Sequence, residues 1–163
     1  MLLQGSCHCR AVGFRVESAM PFPYQACYCS ICRKTAGGGG YAINLGADAH
    51  TLEVEGEEHL SVYRARIGVP DGSGQLSEGR RHFCSHCGSA LWLYDPTWPD
   101  LVHPFASAID TPLPRPPEHV RLMLDYAAPW CEIPPEGPTE RHFPVYPEES
   151  LEEWHRRHGL YDG

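Results

Sequence analysis

The sequence predicts a mainly β fold in a single domain, and three observations lead to that prediction. Short stretches in which apolar and polar residues alternate recur along the chain, and this alternation is the period of a half-buried strand. Glycine- and proline-containing turns separate the stretches, and no long amphipathic helix interrupts them. A length of 163 residues suits one hydrophobic core, so we expect one domain over residues 1–163.

The predicted strands follow one another closely along the chain. In "AVGFRVE" the apolar side chains of Val12, Phe14 and Val16 alternate with polar neighbours. The same alternation returns in "YAINL", "TLEVEG", "HLSVYRA", "SALWLY" and "HVRLMLDY". Turns are expected between them, for example in "PDGSG" at Pro70–Gly74. Many short strands at this spacing favour a fold built from β-sheets.

The chain changes character at Thr111, where prolines become frequent. Since proline cannot donate a ladder hydrogen bond, we expect this part to be extended and to wrap over the core instead of forming a central sheet. The stretch "SLEEWHRRHG" near the end predicts a short helix over residues 150–158. Ser150 and Glu153 have the spacing of a capping box at its start, and Gly159 marks its end.

Composition and charge exclude several classes of protein. No apolar stretch approaches the ~20 residues that cross a bilayer, and the opening "MLLQGSCHCR" lacks the apolar region of a signal peptide. We therefore expect no membrane partner and a cytoplasmic location. The formal net charge of −8 disfavours a nucleic-acid partner, since phosphate binding depends on a basic surface.

Cysteine is the residue type with the strongest functional signal, with eight in the chain. Cys131 stands alone, and the other seven fall into three tight groups: Cys7 and Cys9; Cys27, Cys29 and Cys32; and Cys84 and Cys87. In a reducing compartment such groups are more often metal ligands than disulfides. The spacing therefore predicts zinc, which takes four thiolates in a tetrahedron in structural sites.

Two local geometries could deliver these thiolates in pairs. Residues two apart in a strand project from the same face, which predicts a strand pair at Cys7 and Cys9. A CxxC turn would bring Cys84 and Cys87 round one metal. Together the two pairs would complete a closed structural site. The group within Cys27–Cys32 would then hold a second zinc with a vacant fourth position, as catalytic zinc sites do.

Spacing alone leaves other arrangements open. The group of three could share its metal with either pair, and Cys131 could be its fourth ligand or a buried, inert thiol. Two closed structural sites, a CxxC redox site and a disulfide framework are further alternatives. No histidine is assigned as a ligand. The basic runs "CRK" at Cys32–Lys34 and "EGRRH" around Arg80 and Arg81 are either solvated charge or groups that hold an anionic ligand near the metal.

At these residues the sequence resembles the family of glutathione-dependent formaldehyde-activating enzymes, which also includes centromere protein V-like proteins. The elements that match are "GSCHCRAVGFRV", "CYCSICRKTAGGGGYAI" and "RRHFCSHCGSALW", in that order and at family-like separations. The stretches "APWCEIPPEG" and "EESLEEWHRRHGL" resemble the ends of many bacterial members. The resemblance covers most of the chain.

The resemblance implies an Mss4-like, mainly β zinc-bound fold and two zinc ions per chain. It assigns the structural zinc to Cys7, Cys9, Cys84 and Cys87, and the zinc of the catalytic site to Cys27, Cys29 and Cys32. The implied activity joins formaldehyde to glutathione and is classed as that of a carbon–sulfur lyase, S-(hydroxymethyl)glutathione synthase, with glutathione as substrate or co-substrate.

The glutathione carboxylates would need partners beside the group of three. Position alone suggests Arg33 and Lys34, together with backbone amides of the glycine run such as those of Gly38 and Gly39. The alternative is that these glycines only make a turn that permits close packing. For the whole protein the alternative from another class is a zinc-stabilised module that binds a protein partner without catalysis. The oligomeric state is not indicated by the sequence.

Overall fold

The computed structural model describes residues 1–68 and 73–160, so the turn predicted at Pro70–Gly74 lies largely outside the described residues. The described residues form short strands and two short helices. The strands are β1 (Leu2–Ser6), β2 (Gly13–Glu17), β3 (Tyr24–Cys27), β4 (Ala42–Asn44), β5 (Ala47–Asp48), β6 (Glu53–Glu55), β7 (Leu60–Ile67), β8 (Gln75–Cys84), β9 (Ala90–Tyr94), β10 (Leu101–Pro104), β11 (His119–Leu122) and β12 (Glu140–His142). The helices are α1 (Ser30–Thr35) and α2 (Leu151–Arg157). The predicted mainly β fold with a short C-terminal helix is confirmed.

Three sheets organise these strands. The first has the order β1-β2-β6, the second β5-β10-β9-β8-β7 and the third β12-β11-β3-β4. In the first sheet Leu3 pairs with Val16, and both side chains are fully buried in the main core. Trp92 and Val102 bring the second sheet into the same core. The alternation seen in the sequence is thus the inward face of each sheet.

The third sheet differs from the prediction for the proline-rich part. Its strand β11 lies between β12 and β3 and is parallel to both. This strand comes from beyond Thr111, so the expectation that this part adds no central strand is wrong. The four residues His119–Leu122 contain no proline, and each can therefore donate its ladder hydrogen bond. Parallel pairing joins segments that are far apart in the chain, which no local pattern reveals.

The strand predictions are confirmed in part. Strands β2, β4, β6, β7, β9 and β11 fall within or overlap the alternating stretches of the sequence. The stretch "HVRLMLDY" stops as a strand at Leu122, because Met123 adopts a left-handed backbone conformation with φ 61° and a 3₁₀ turn follows. Several strands were missed, among them β3, β8 and β10. Strand β8 reads "QLSEGRRHFC", and its polar content hides its place inside a sheet.

Helix α2 begins with the predicted capping box. The Ser150 side chain accepts from the amide of Glu153, whose carboxylate accepts from the Ser150 amide at 2.7 Å. Trp154 is buried, and its indole nitrogen donates to the buried carboxylate of Glu118 at 2.9 Å. This bond fixes helix α2 on the core. None of the helices in the described residues has the length and apolar character needed to cross a membrane.

Candidate metal centres

Four of the predicted ligands meet in one cluster, named here the four-cysteine cluster: Cys7, Cys9, Cys84 and Cys87. Their sulfur atoms all lie within 4.8 Å of one another. The Sγ atoms of Cys7 and Cys9 are 3.6 Å apart, and those of Cys9 and Cys84 are 3.7 Å apart. A tetrahedral zinc with bonds of about 2.3 Å would separate its sulfur ligands by about 3.8 Å. The geometry therefore fits a four-coordinate thiolate metal.

The two halves of this cluster are both built by turns that follow strands. Cys84 ends β8, and the amide of Gly88 donates to its carbonyl at 2.8 Å, which makes the predicted CxxC turn. The predicted strand pair at Cys7 and Cys9 is wrong. Strand β1 ends at Ser6, and the amide of Arg10 donates to the Cys7 carbonyl at 3.0 Å with Arg10 at φ 64°. The turn folds both sulfurs to one side, as a strand would have done.

The remaining group forms a second cluster, named here the three-cysteine cluster: Cys27, Cys29 and Cys32. These sulfurs also lie within 4.8 Å of one another. Cys27 is the last residue of β3, and Cys29 is the N-cap of α1, where its sulfur accepts from the amide of Cys32 at 3.3 Å. The strand end and the first turn of the helix thus deliver three sulfurs over six residues.

Tyr28, between two of these cysteines, fixes the backbone of the three-cysteine cluster. Its side chain is fully buried, and its hydroxyl accepts from the Arg121 guanidinium at 2.9 Å. Its amide donates to the carbonyl of Leu122 at 3.0 Å. Arg121 is itself held by Glu140 at 2.6 Å. Strands β11 and β12 therefore hold the backbone of the three-cysteine cluster in place.

The three thiols affect one another's ionisation. Hydrogen bonding from Cys27, and then from Cys32, holds the pKa of Cys29 far below its ordinary value. Hydrogen bonding to Cys29, then to Cys32, and burial raise the pKa of Cys27. The cluster by itself therefore favours a single thiolate at Cys29. Holding three thiolates so close together needs a cation among them, which is the chemistry of a metal site.

Neither Cys131 nor any histidine belongs to a cluster of ligand atoms in the described residues. Cys131 is partly buried, and its sulfur lies 3.9 Å from the carbonyl oxygen of Gly40. The structure places it against the glycine run and outside the three-cysteine cluster. Its thiol packs where Gly40 has no side chain. All eight cysteines are free thiols, and no disulfide joins them.

The predicted glutathione contacts separate into two groups. Lys34 and Gly38 line a polar cavity of about 570 Å³ beside the four-cysteine cluster, together with Gly37. Arg33 and Gly39 do not line it. A Cβ on Gly37 would lie 2.0 Å from the Tyr41 carbonyl oxygen, whereas one on Gly38 would meet nothing within 4 Å. The glycine run is thus partly a packing device and partly an open cavity wall.

Two residues beside the three-cysteine cluster complete its surroundings. Arg81 of β8 acts by its positive charge on the sulfur of Cys32. Loss of hydration, and then the charges of the three sulfurs, raise the pKa of the Tyr146 hydroxyl. Tyr146 was expected only as part of a wrapping segment. No motif near Tyr146 in the sequence could have revealed this electrostatic effect, because only the folding of the chain brings the tyrosine near the cluster.

Comparisons with known proteins identify the family of this chain. The model of the family "Glutathione-dependent formaldehyde-activating enzyme" matches residues 2–122. The chain belongs to this family. A relative from Halomonas elongata, 61% identical over the full length of both chains, carries the provisional name of a glutathione-dependent formaldehyde-activating enzyme.

A solved structure supports the fold of this family member. The crystal structure of a Rhodobacter sphaeroides protein has a TM-score of 0.54 and 28% sequence identity, and the match covers 72% of this chain and 97% of that chain. Both cysteine clusters lie within the part that the family model matches. Cys131, Tyr146 and helix α2 lie beyond it.

Proposed function

We propose that this chain is a zinc-dependent enzyme of the carbon–sulfur lyase class that acts on the glutathione adduct of formaldehyde or of a related small aldehyde. It would hold two zinc ions and act in the cytoplasm, where its eight thiols stay reduced. Family membership supports the glutathione-linked activity. The observation that carries the rest is the three-cysteine cluster: three sulfurs within 4.8 Å and no fourth ligand atom from the described residues.

Cys27, Cys29 and Cys32 would hold the second zinc. A thiolate zinc with a vacant position lowers the pKa of a bound thiol and so supplies thiolate at neutral pH. In the synthetic direction the thiol sulfur of glutathione forms a bond with the carbonyl carbon of formaldehyde. The π electron pair of the carbonyl moves to the oxygen, which takes up the proton that the thiol released. The reverse direction breaks the same carbon–sulfur bond.

The chain's own residues provide the setting for this step. Cys27 and Cys32 are buried against the apolar side chains of Phe105, Val120 and Leu122, which exclude water from one side of the cluster. The other side lies towards Tyr146 and Arg81. A small aldehyde can be accommodated there without a dedicated binding pocket, whereas the tripeptide thiol needs the neighbouring cavities.

The proposal is tested by asking whether a substrate thiol joins the metal. Zinc is replaced by cobalt(II) at two ions per chain, and the thiolate-to-cobalt absorption is followed as glutathione is added. We expect the absorption to increase at a stoichiometry of one glutathione per chain, and S-methylglutathione, which has no thiol, to leave it unchanged. Formation of S-(hydroxymethyl)glutathione above the spontaneous rate, measured by NMR, should accompany it. No response to glutathione and no turnover would overturn the proposal.

A second candidate function, protein binding without catalysis, is favoured by one observation. Strand β7 stands at the edge of its five-stranded sheet and exposes Val62, Tyr63 and Ile67. Exposed apolar residues on an unpaired edge strand are typical of an interaction surface. A protein that keeps two zinc ions yet shows no spectral response to glutathione would favour this function.

A further inference from the structure

Two cavities adjoin each other at the end of helix α1. The polar cavity of about 570 Å³ and a second cavity of about 330 Å³ share Thr35, Gly88 and Ala90 in their walls. Thr35 is the last residue of α1, one turn beyond Cys32 of the three-cysteine cluster. None of that cluster's three cysteines lines either cavity, but Phe105 in the wall of the smaller cavity packs in the same apolar core as Cys27 and Cys32.

The two cavities differ in the charges on their walls. The polar cavity has both signs, because Arg10 and Lys34 line it together with Asp110, and Arg10 and Asp110 are 3.2 Å apart. The smaller cavity is mostly apolar, with Phe83 and Phe105 in its wall. Arg81 is the one permanently charged side chain among the described residues that line it, and none of these is acidic.

Arg81 has no carboxylate partner among the described residues, although its charge acts on the sulfur of Cys32. Its Nε atom is buried without a hydrogen bond, and its guanidinium forms no ion pair there. Arg121 is paired with Glu140 and Arg64 with Glu78. Arg33 shares with Arg81 a buried Nε atom without a hydrogen bond, but it does not line the smaller cavity. Only the Nε atom is buried, and the rest of the partly exposed side chain lines the smaller cavity. The fork of the guanidinium is therefore free to bind a carboxylate of a ligand in that cavity.

The strand register directs Arg81 towards the site. Its partners across the sheet are Tyr63 on β7 and Leu93 on β9, and paired residues project from the same face. Leu93 packs on the core that contains Cys27 and Cys32, so this face is turned towards the three-cysteine cluster. Arg80, which comes directly before Arg81 on β8, is exposed and projects from the opposite face.

Glutathione has two different ends, and they match the two cavities. Its γ-glutamyl end carries an ammonium and a carboxylate and needs partners of both signs. Its glycine end carries a carboxylate alone, for which an arginine fork is the best partner. We propose that Arg81 binds the glycine carboxylate of the substrate and that the polar cavity receives the γ-glutamyl end, an inference that rests on the proposed function. Arg81 is thus a specificity-determining residue of the site.

The test measures binding by calorimetry on the zinc-loaded, full-length protein. The ligands are glutathione and its glycine monoethyl ester, which differ only in the carboxylate assigned to Arg81. Because a charge-assisted hydrogen bond contributes about 1.5–3 kcal/mol, we expect the ester to bind the unaltered protein about 10- to 100-fold more weakly. Arg81→Gln should weaken glutathione by a similar factor and change the affinity for the ester by less than about 3-fold.

Arg80→Gln is the matched control, since it removes the neighbouring charge from the other face of β8, and it should leave both affinities unchanged. Arg81→Lys keeps the charge without the fork and should lie between the unaltered protein and Arg81→Gln for glutathione. Circular dichroism and a content of two zinc ions establish that each variant is folded.

Each outcome separates this inference from the proposed function. If the unaltered protein binds the ester as tightly as glutathione, the assignment of Arg81 is wrong even if no variant folds. If Arg81→Gln weakens both ligands equally, Arg81 has a structural role and the inference is overturned, while the proposed function stands. If the unaltered protein binds neither ligand, the proposed function itself fails.

Discussion

The two cysteine clusters contain the same chemical group, yet the chain builds them in opposite ways. The four-cysteine cluster joins two turns that are far apart in sequence, so that the sulfurs of Cys9 and Cys84 meet at 3.7 Å across 75 positions. The three-cysteine cluster is local, and one strand end and one helix start provide all of it. A metal in the first would close a long loop, whereas a metal in the second would constrain only a few residues.

This difference in loop length suggests different roles for the two clusters, one in the stability of the fold and one in its chemistry. Closing a loop of 75 residues costs about 2 kcal/mol more in chain entropy than closing one of five, so a metal at the four-cysteine cluster offsets the larger cost. The three-cysteine cluster needs no metal for its strand and helix to meet, since Tyr28 and Arg121 already hold its backbone. It also has one ligand fewer, and Phe105 of its apolar surroundings lines the smaller cavity. We infer that the first metal serves the fold and the second the chemistry.

The largest effect is expected for Cys84→Ser. Cys84 is fully buried, and its loss would leave a structural metal with three thiolates and a long loop unclosed. We expect the chain to fail to fold, or to lose more than about 4 kcal/mol of its free energy of unfolding. Chemical denaturation followed by circular dichroism measures this. Cys131→Ser, which alters a thiol outside both clusters, is the control. A stable, soluble Cys84→Ser protein would remove the distinction between the clusters.

The next effect concerns Cys29→Ser in the three-cysteine cluster. We expect a folded protein that keeps about one zinc per chain and loses turnover, because one of the three sulfurs that would hold the second zinc is gone. Metal analysis, circular dichroism and the rate of S-(hydroxymethyl)glutathione formation test the three parts separately. A variant that does not fold would show that this cluster is structural as well.

A smaller effect distinguishes two glycines of the run beside this cluster. Gly40 has φ 93°, and a Cβ there would lie 2.1 Å from the sulfur of Cys131, so Gly40→Ala should cost about 2 to 4 kcal/mol of stability. A Cβ on Gly38 meets nothing within 4 Å. Gly38→Ala should change stability by less than about 0.5 kcal/mol and weaken glutathione binding, because Gly38 lines the polar cavity. Thermal denaturation and calorimetry measure the two effects. Equal losses of stability would mean that the run serves packing alone.

The smallest predicted effect concerns the pH dependence of the free energy of unfolding. It distinguishes destabilisation by histidine protonation from destabilisation by acid release of metal. Burial lowers the pKa of His103, whose Nδ1 donates to the Leu45 carbonyl at 3.0 Å, and burial also lowers that of His82. A histidine with a lowered folded pKa binds more protons when unfolded, so its contribution is present above the ordinary pKa of about 6.5 and is lost as pH falls below it.

In the zinc-loaded protein we expect the free energy of unfolding to fall between pH 7 and pH 5 before metal is released. His103→Asn keeps a donor near Nδ1 and should reduce this slope, with the remainder due to His82. Denaturation at a series of pH values, with metal content followed in parallel, provides the measurement. An unchanged slope would assign the pH dependence to the clusters and not to the surrounding fold.

Local patterns were sufficient for about half of the strands and for helix α2. Alternation indicates strand β2 and a capping box indicates helix α2, because each of these signals lies within a few residues of sequence. Helix α1 was missed, since six residues are too few for a periodic signal and its cap is a sulfur atom. Strand β3 was missed because three of its four residues are buried, so its sequence shows no alternation of apolar and polar residues.

The sequence by itself determined the family, the mainly β class and which cysteines are grouped, because thiolate spacing within a turn or a strand end is a local property. Only the tertiary structure decided that two distant turns meet, that Cys131 packs on Gly40, and that Arg81 and Tyr146 face the three-cysteine cluster. Strand order and register set these contacts between segments far apart in the chain. Arg80 and Arg81 cannot be distinguished in the sequence. The register of β8 directs Arg81 towards the three-cysteine cluster and Arg80 away from it.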